Sequence, residues 1–166
     1  CWALGAGYET FHEADPDFAA SLAASVHAYL DVLEDTCLDS YGDYETARGR
    51  SVPWWLVDGD SYTTAPVVLG LASFCRARAD ERSETALRQL ADGLCDCRDG
   101  DSIEYPFGAH LSVPNGAAWH TWGLRQVAAL ARAGAVLEED RYVSSARRAV
   151  AGLYTYFTTS HVRVAK

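Results

Sequence analysis

The chain has 166 residues, of which 49% are hydrophobic and 22% are charged, a composition typical of one globular domain with a substantial core. Its net charge of -9, from 23 acidic and 14 basic residues, excludes the clustered basic surface that nucleic-acid binding requires. No apolar run approaches the length of a membrane span, so no membrane partner is predicted. The absence of Met predicts that residue 1 is an internal position of a longer protein. The composition slightly favours a soluble, cytoplasmic protein, and secretion stays open because a fragment would lack its leader.

Helical periodicity runs through almost the whole sequence, and no convincing strand alternation is present. Residues 1–10 have the pattern of the end of a buried helix. Asp15-Pro16-Asp17 starts an amphipathic helix that extends to about Cys37. Further helices are predicted over residues 61–79, 81–97, 117–134 and 138–159. The helix over 61–79 is apolar nearly all round, as is typical of a buried helix, and the Ala-rich helix over 117–134 is expected to be mostly buried.

Buried and amphipathic helices therefore alternate, which predicts an all-α fold built from helical hairpins. Glycines at Gly5, Gly70 and Gly123 recur in the buried helices and allow close helix approach. The recurrence of this pattern over roughly 55–65 residues indicates a repeat. A buried inner ring and an amphipathic outer ring would make residues 1–166 about half of an (α/α)6 toroid. A helical bundle or solenoid is the alternative. An incomplete ring exposes apolar faces of its inner helices, which favours self-association.

Two long segments, residues 38–57 and 98–115, each lead into a buried helix and carry most of the chemistry-bearing residues. Aromatic rings stack on sugar faces, and carboxylates bind hydroxyls or transfer protons, so this composition indicates a carbohydrate substrate. The alternative is that the aromatic residues cap the core. The candidate substrate-binding residues in and after these segments are Trp54, Trp55, Tyr62, Tyr105, His110, Trp119, His120 and Trp122.

Two carboxylates flank a glycine directly before the second buried helix, at Asp58-Gly59-Asp60. Such a pair can hold a water molecule, and the positive end of the helix dipole favours its ionised form. Asp60 is the expected general base, with Asp58 orienting it; the alternative is that Asp60 or Ser61 caps the helix. This segment, with the tryptophans before it, resembles the D-A-G-D segment of inverting endoglucanases with the six-hairpin fold, one residue shorter. The resemblance implies that the acidic pair orients the attacking water of a glycosidase.

Glu104 is the third candidate catalytic residue, because an acid among apolar neighbours suits a proton donor to a leaving oxygen. The alternative is a solvated loop residue, and in the endoglucanases the donor comes from late in the toroid. His110 and His120 are expected to bind hydroxyls, since no third ligand is spaced for a metal. No metal or cofactor is predicted. The five cysteines are expected to be buried or idle thiols.

Glycoside hydrolysis of an oligo- or polysaccharide is the function that these residues favour. A polysaccharide lyase or sugar epimerase of the same architecture, working through Tyr and His, is an alternative, as is a non-catalytic helical scaffold. Class II terpenoid cyclases, which also form α/α toroids, use a D-x-D-D motif, which Asp58-Gly59-Asp60-Ser61 resembles without its last Asp.

Overall fold

The computed structural model describes residues 1–38, 43–45, 51–53, 55–100, 103–104, 108–110 and 124–164. Most of these residues lie in helices, which confirms the all-α class. A π-helical turn, Glu34–Leu38, follows the second helix, and a 3-10 turn, Val57–Gly59, precedes the third. The α-helices are α1 (Trp2–Phe11), α2 (Pro16–Leu33), α3 (Ser61–Ala77), α4 (Glu81–Asp96), α5 (Leu124–Val136) and α6 (Asp140–Val164).

A small antiparallel hairpin interrupts the helices between α2 and α3. Strand β1 (Asp43–Glu45) pairs with β2 (Ser51–Pro53), and Tyr44 lies opposite Val52. The sequence did not predict this hairpin, because three residues per strand are too few for an alternating pattern to stand out. It does not change the fold class.

Acidic residues fix the starts of three helices. The side chain of Asp15 accepts a hydrogen bond from the Phe18 N–H at 3.0 Å, and Asp80 accepts one from the Arg82 N–H at 3.1 Å. Asp60 caps α3 in the same way. These bonds satisfy backbone donors that have no partner within the first helical turn. The predicted starts of α2, α3 and α4 are therefore confirmed to within a residue.

The helices form two layers. Helices α1, α3 and α5 pack side by side with α3 in the middle, while α2, α4 and α6 each pack on the helix that precedes them. The Glu9–Arg76 ion pair and the contact of the Cys1 thiol with the Val67 carbonyl show that α1 and α3 run in the same direction. This arrangement agrees with the predicted alternation of inner and outer helices. The closure of such layers into a ring stays a prediction.

The three inner helices differ in how deeply they are buried. Helix α3 is buried along nearly its whole length, as predicted, with Val68, Leu71 and Phe74 in the core. The prediction that α5 is mostly buried is wrong for its described residues, because Arg125 and Arg132 mark an exposed face. The N-terminal helix α1 likewise buries only Gly5. The physical reason is position: among the described helices, α1 and α5 have an inner-layer neighbour, α3, on one side only.

Helices α1 and α3 cross at a pair of glycines. A Cβ atom added to Gly5 would lie 1.8 Å from the Gly70 carbonyl oxygen, and one added to Gly70 would lie 2.6 Å from the Cys1 carbonyl oxygen. Neither distance leaves room for a side chain, so the two backbones pack directly against each other. The prediction that these glycines allow close helix approach is confirmed.

Candidate functional site at the start of helices α3 and α5

The starts of α3 and α5 lie side by side. The amide nitrogen of Gln126 donates a hydrogen bond to the buried Ser61 hydroxyl at 3.2 Å, and the Arg125 guanidinium lies 4.9 Å from the centroid of the Tyr62 ring. Both long segments of the sequence therefore lead to the same end of the helical layers. We call the surface formed by residues 58–62 and 125–126 the α3/α5 rim.

The acidic pair stands on a tight turn at this rim. Asp58 has a φ of 54° and Gly59 a φ of 65°, so two successive residues adopt the left-handed conformation. Asp tolerates this region better than most residues, and glycine adopts it without strain. The turn leaves the Asp58 side chain exposed. Burial raises the pKa of Tyr29 in α2, and the nearby Asp58 carboxylate raises it further.

Asp60 is the N-cap of α3. Its Oδ2 atom accepts hydrogen bonds from the Thr63 N–H and from the Thr63 hydroxyl, both at 2.9 Å. The hydrogen bonds therefore confirm the interpretation that Asp60 caps helix α3. Its role as a general base stays a prediction, and of the two carboxylates Asp58 is the more open to water.

The segment before this turn is held against helix α4. A Cβ atom added to Gly93 would lie 2.3 Å from the Trp55 carbonyl oxygen, so the chain at Trp55 packs directly on the α4 backbone. The neighbouring Leu56 is fully buried, whereas the Trp55 side chain is half-buried. The path of the chain into the rim is therefore fixed by an outer helix.

Glu104 and His110, both in the second long segment, differ in their exposure to solvent. Glu104 is exposed, so the apolar surroundings expected for it are not present among the described residues. His110 is only 4% exposed, and neither of its ring nitrogens has a hydrogen-bond partner in the described part of the chain. Burial, with a smaller contribution from the positive charge of Arg98, lowers the pKa of His110 to about 3. This histidine is therefore neutral, and it is not open to a substrate from the described surface.

Local backbone contacts hold His110 in place. It forms an isolated antiparallel bridge with Arg98, and the Asp99 N–H donates to the Ala109 carbonyl at 3.0 Å. Two positions earlier, Gly108 packs against the α6 backbone, since a Cβ atom there would lie 3.2 Å from the Arg148 carbonyl oxygen. The segment therefore crosses between the end of α4 and the middle of α6.

The other candidate substrate-binding residues, Trp54, Tyr105, Trp119, His120 and Trp122, lie outside the described residues. The structure adds Arg125 and Gln126, which sequence reasoning missed, and Ser61, which the sequence suggested only as a helix cap. The two contacts that place them at the rim each join positions more than sixty apart in the chain, and no local sequence pattern marks such a contact.

No His, Cys, Asp or Glu side chains within the described ranges are grouped to hold a metal ion. Nor does any helix of this part of the chain combine the length and apolar character that crossing a membrane requires. None of the five cysteines forms a disulfide bond; Cys37, Cys75 and Cys97 are buried, and Cys1 and Cys95 are half-buried.

No model of a known protein family matches this sequence, and no curated protein matches it.

Proposed function

We propose that this chain is part of a carbohydrate-active helical domain and that the α3/α5 rim binds an oligo- or polysaccharide for hydrolysis. The observation that carries the proposal is the meeting of the two helix starts, through the Gln126–Ser61 hydrogen bond. It brings together the starts of the two helices that follow, in the sequence, segments rich in aromatic and acidic residues. Rings that stack on sugars and carboxylates that bind hydroxyls are both needed at such a site.

The carboxylates of the rim differ in what they can contribute to hydrolysis. Asp58 is exposed on its turn, and in this proposal it accepts a proton from the attacking water. Asp60 keeps α3 capped and holds the turn, which makes it a positioning residue. Glu104, an exposed residue of the second long segment outside the rim, is the proposed proton donor. Arg125, whose guanidinium covers one face of the Tyr62 ring, supplies a hydrogen-bond donor at the rim.

The two-layer arrangement supports the wider proposal that the chain is a portion of an α/α toroid. The three inner helices run in the same direction, and the starts of α3 and α5, each of which follows a long connection in the sequence, lie at the same end of the layers. In an architecture of this kind, a rim of long loops is the usual place for a site.

The test is a binding and product analysis with neutral and acidic oligosaccharides. We expect saturable binding and the release of reducing ends. Asp58→Asn should lower turnover by about 10²–10⁴-fold, the usual contribution of a general base. Asp140→Asn is the matched control, because Asp140 is an exposed acid at the start of α6, at the end of the layers away from the rim.

Other outcomes would redirect the proposal. Unsaturated, ultraviolet-absorbing products would identify a lyase. An absence of binding to every oligosaccharide tested would contradict a carbohydrate site at the rim.

A further inference from the structure

A second candidate site lies between the C-terminal halves of α3 and α5, away from the rim. It is a cavity of about 290 Å³ lined by Ala72, Ser73, Cys75, Arg76, Arg132, Ala135 and Val136. Ala72, the first residue that lines the cavity, lies eleven positions after Ser61, where α3 begins, and this separation is roughly 16 Å along the helix axis. The cavity is therefore separate from the acidic pair and from the proposed carbohydrate site.

The cavity has a cationic wall. Arg132 on α5 reaches across to α3, where its Nη1 atom donates a hydrogen bond to the Ser73 hydroxyl at 3.3 Å. Arg132 forms no ion pair with any residue in the described part of the chain. Arg76, the second arginine of the wall, pairs with Glu9 of α1 through one nitrogen, Nη2. A guanidinium carries five N–H donors, so both arginines keep donors for a further oxyanion.

The described side chains that line the cavity include no negatively charged group. Its described residues include no carboxylate, although the chain carries 23 acidic residues. Burial, with smaller contributions from the negative charges of Glu84 and Asp80, raises the pKa of the Cys75 thiol to about 12, so this group stays neutral. The Ser73 hydroxyl, which accepts from Arg132, can still donate its own proton. Ala72, Ala135 and Val136 supply an apolar wall.

We propose that this cavity is an oxyanion-binding site that takes the carboxylate or phosphate of a small organic anion. Arg132 binds the anionic group and Ser73 orients it, while the alanine and valine side chains contact the carbon body. A guanidinium suits both anions, because its planar fork matches the oxygens of a carboxylate or a phosphate. The volume suits one ligand of about the size of a single sugar ring, at the lower end of small-molecule pockets.

The test compares three probes of similar size by calorimetry at constant ionic strength: glucose, glucuronate and glucose 6-phosphate. Glucose carries the same ring without an anionic group. We expect saturable binding of at least one anionic probe and none of glucose. The probe that binds more tightly then shows whether the anionic group of the ligand is a carboxylate or a phosphate.

Two variants and one control assign the binding to the cavity. Arg132→Gln removes the charge and keeps a donor for Ser73, and it should weaken binding about tenfold or more, as for the loss of a charge-assisted hydrogen bond. Ala135→Glu places a carboxylate in the wall on an exposed helix position, where Glu is compatible with the helix, and it should abolish binding. Arg147→Gln, on the exposed face of α6, makes the same charge change elsewhere and should leave binding unchanged.

Three results would overturn the proposal. These are the absence of saturable binding of either anion, glucose binding that equals that of the anions and is equally sensitive to Ala135→Glu, and an Arg147→Gln effect as large as that of Arg132→Gln. Glucose binding that Ala135→Glu leaves unchanged would instead belong to the rim, so failure of this proposal and failure of the proposed function remain distinguishable.

Discussion

Asp60 caps helix α3 and is also a candidate for the general base. Substitution by a neutral residue that still caps, or by one that does not, can separate these two roles. Its Oδ2 atom caps α3 through Thr63, and Asn caps helices about as well as Asp. We expect Asp60→Asn to unfold at nearly the wild-type urea midpoint. Asp60→Ala, which loses the cap, should reduce the free energy of unfolding by about 1 kcal/mol.

Activity measured on the same variants decides which carboxylate is the base. If Asp58 is the base, Asp60→Asn keeps most of the turnover and Asp58→Asn loses it. The reverse pattern, with Asp60→Asn well folded and inactive, would restore Asp60 to that role. An Asp60→Ala protein as stable as the wild type would show that the cap contributes nothing.

The Asp80 carboxylate makes stability depend on pH. It lies 2.6 Å from His27 Nε2 and also caps α4. Burial acts to raise the pKa of Asp80, but the hydrogen bonds from His27 and the Ser83 N–H outweigh it and hold the pKa below its ordinary value of 3.8. A depressed pKa in the folded state stabilises the protein above the unfolded pKa, and this contribution is lost as pH falls through the folded value.

We therefore expect the stability difference between the wild type and Asp80→Asn to shrink as the pH falls below about 4. The measurement is urea unfolding of both proteins at several pH values. Asp17→Asn, an exposed acid in the first turn of α2, is the control for removing a charge near a helix start. A difference that grows on acidification would contradict the assigned direction.

The close crossing of helices α1 and α3 predicts that two glycines of α1, Gly5 and Gly7, differ in how well they tolerate substitution. Gly5→Ala would drive a methyl group into the Gly70 carbonyl, whereas Gly7→Ala would meet only the end of the flexible Leu22 side chain, at 3.2 Å. We expect Gly5→Ala to cost about 1–3 kcal/mol through overpacking. Gly7→Ala should be neutral or stabilising by up to about 1 kcal/mol, because alanine favours helix more than glycine does.

Thermal or urea unfolding of the two variants tests this contrast. Equal behaviour would mean that α1 is not held against α3 at Gly5. Because both changes are glycine to alanine in the same helix, differences in helix propensity cancel between them.

The elements that the sequence predicted are those with local causes. Asp15, Asp60 and Asp80 mark helix starts because a capping side chain bonds to backbone only two or three residues away. The spacing of Arg125 and Arg132, seven positions apart and therefore on one side of a helix, does indicate the exposed face of α5, whereas its Ala-rich composition alone favours burial. The Arg132–Ser73 contact that defines the cavity joins positions 59 apart, and no pattern in either helix marks it.

In the molecule as a whole, the contacts that link the outer helices to one another differ in kind from those that link the inner helices. The outer helices are linked largely by polar contacts: Arg82 of α4 binds Asp31 and Glu34 of α2, and Arg141 of α6 binds Asp92 of α4. Exposed ion pairs of this kind contribute little stability each. The inner helices are joined by direct backbone packing and by the buried core of α3. The relative placement of the hairpins, and with it the α3/α5 rim, is therefore determined mainly by the inner layer.

An apolar patch at one edge of these layers leads to a prediction about self-association. Phe11 at the end of α1 is 41% exposed, and its ring contacts that of Phe18 in α2, which is 45% exposed, at a centroid distance of 5.3 Å. Exposed apolar patches of this kind mark association sites, and a small patch gives a weak interface. Sedimentation velocity over a range of concentrations should therefore show reversible self-association.

The double variant Phe11→Ser, Phe18→Ser should weaken this self-association roughly tenfold or more, because the two aromatic rings are no longer buried in the contact. Val32→Ser, which removes an exposed apolar side chain from the other end of α2, is the control and should leave association unchanged. A monomer at every concentration, or an equal effect of Val32→Ser, would exclude this edge as the contact surface.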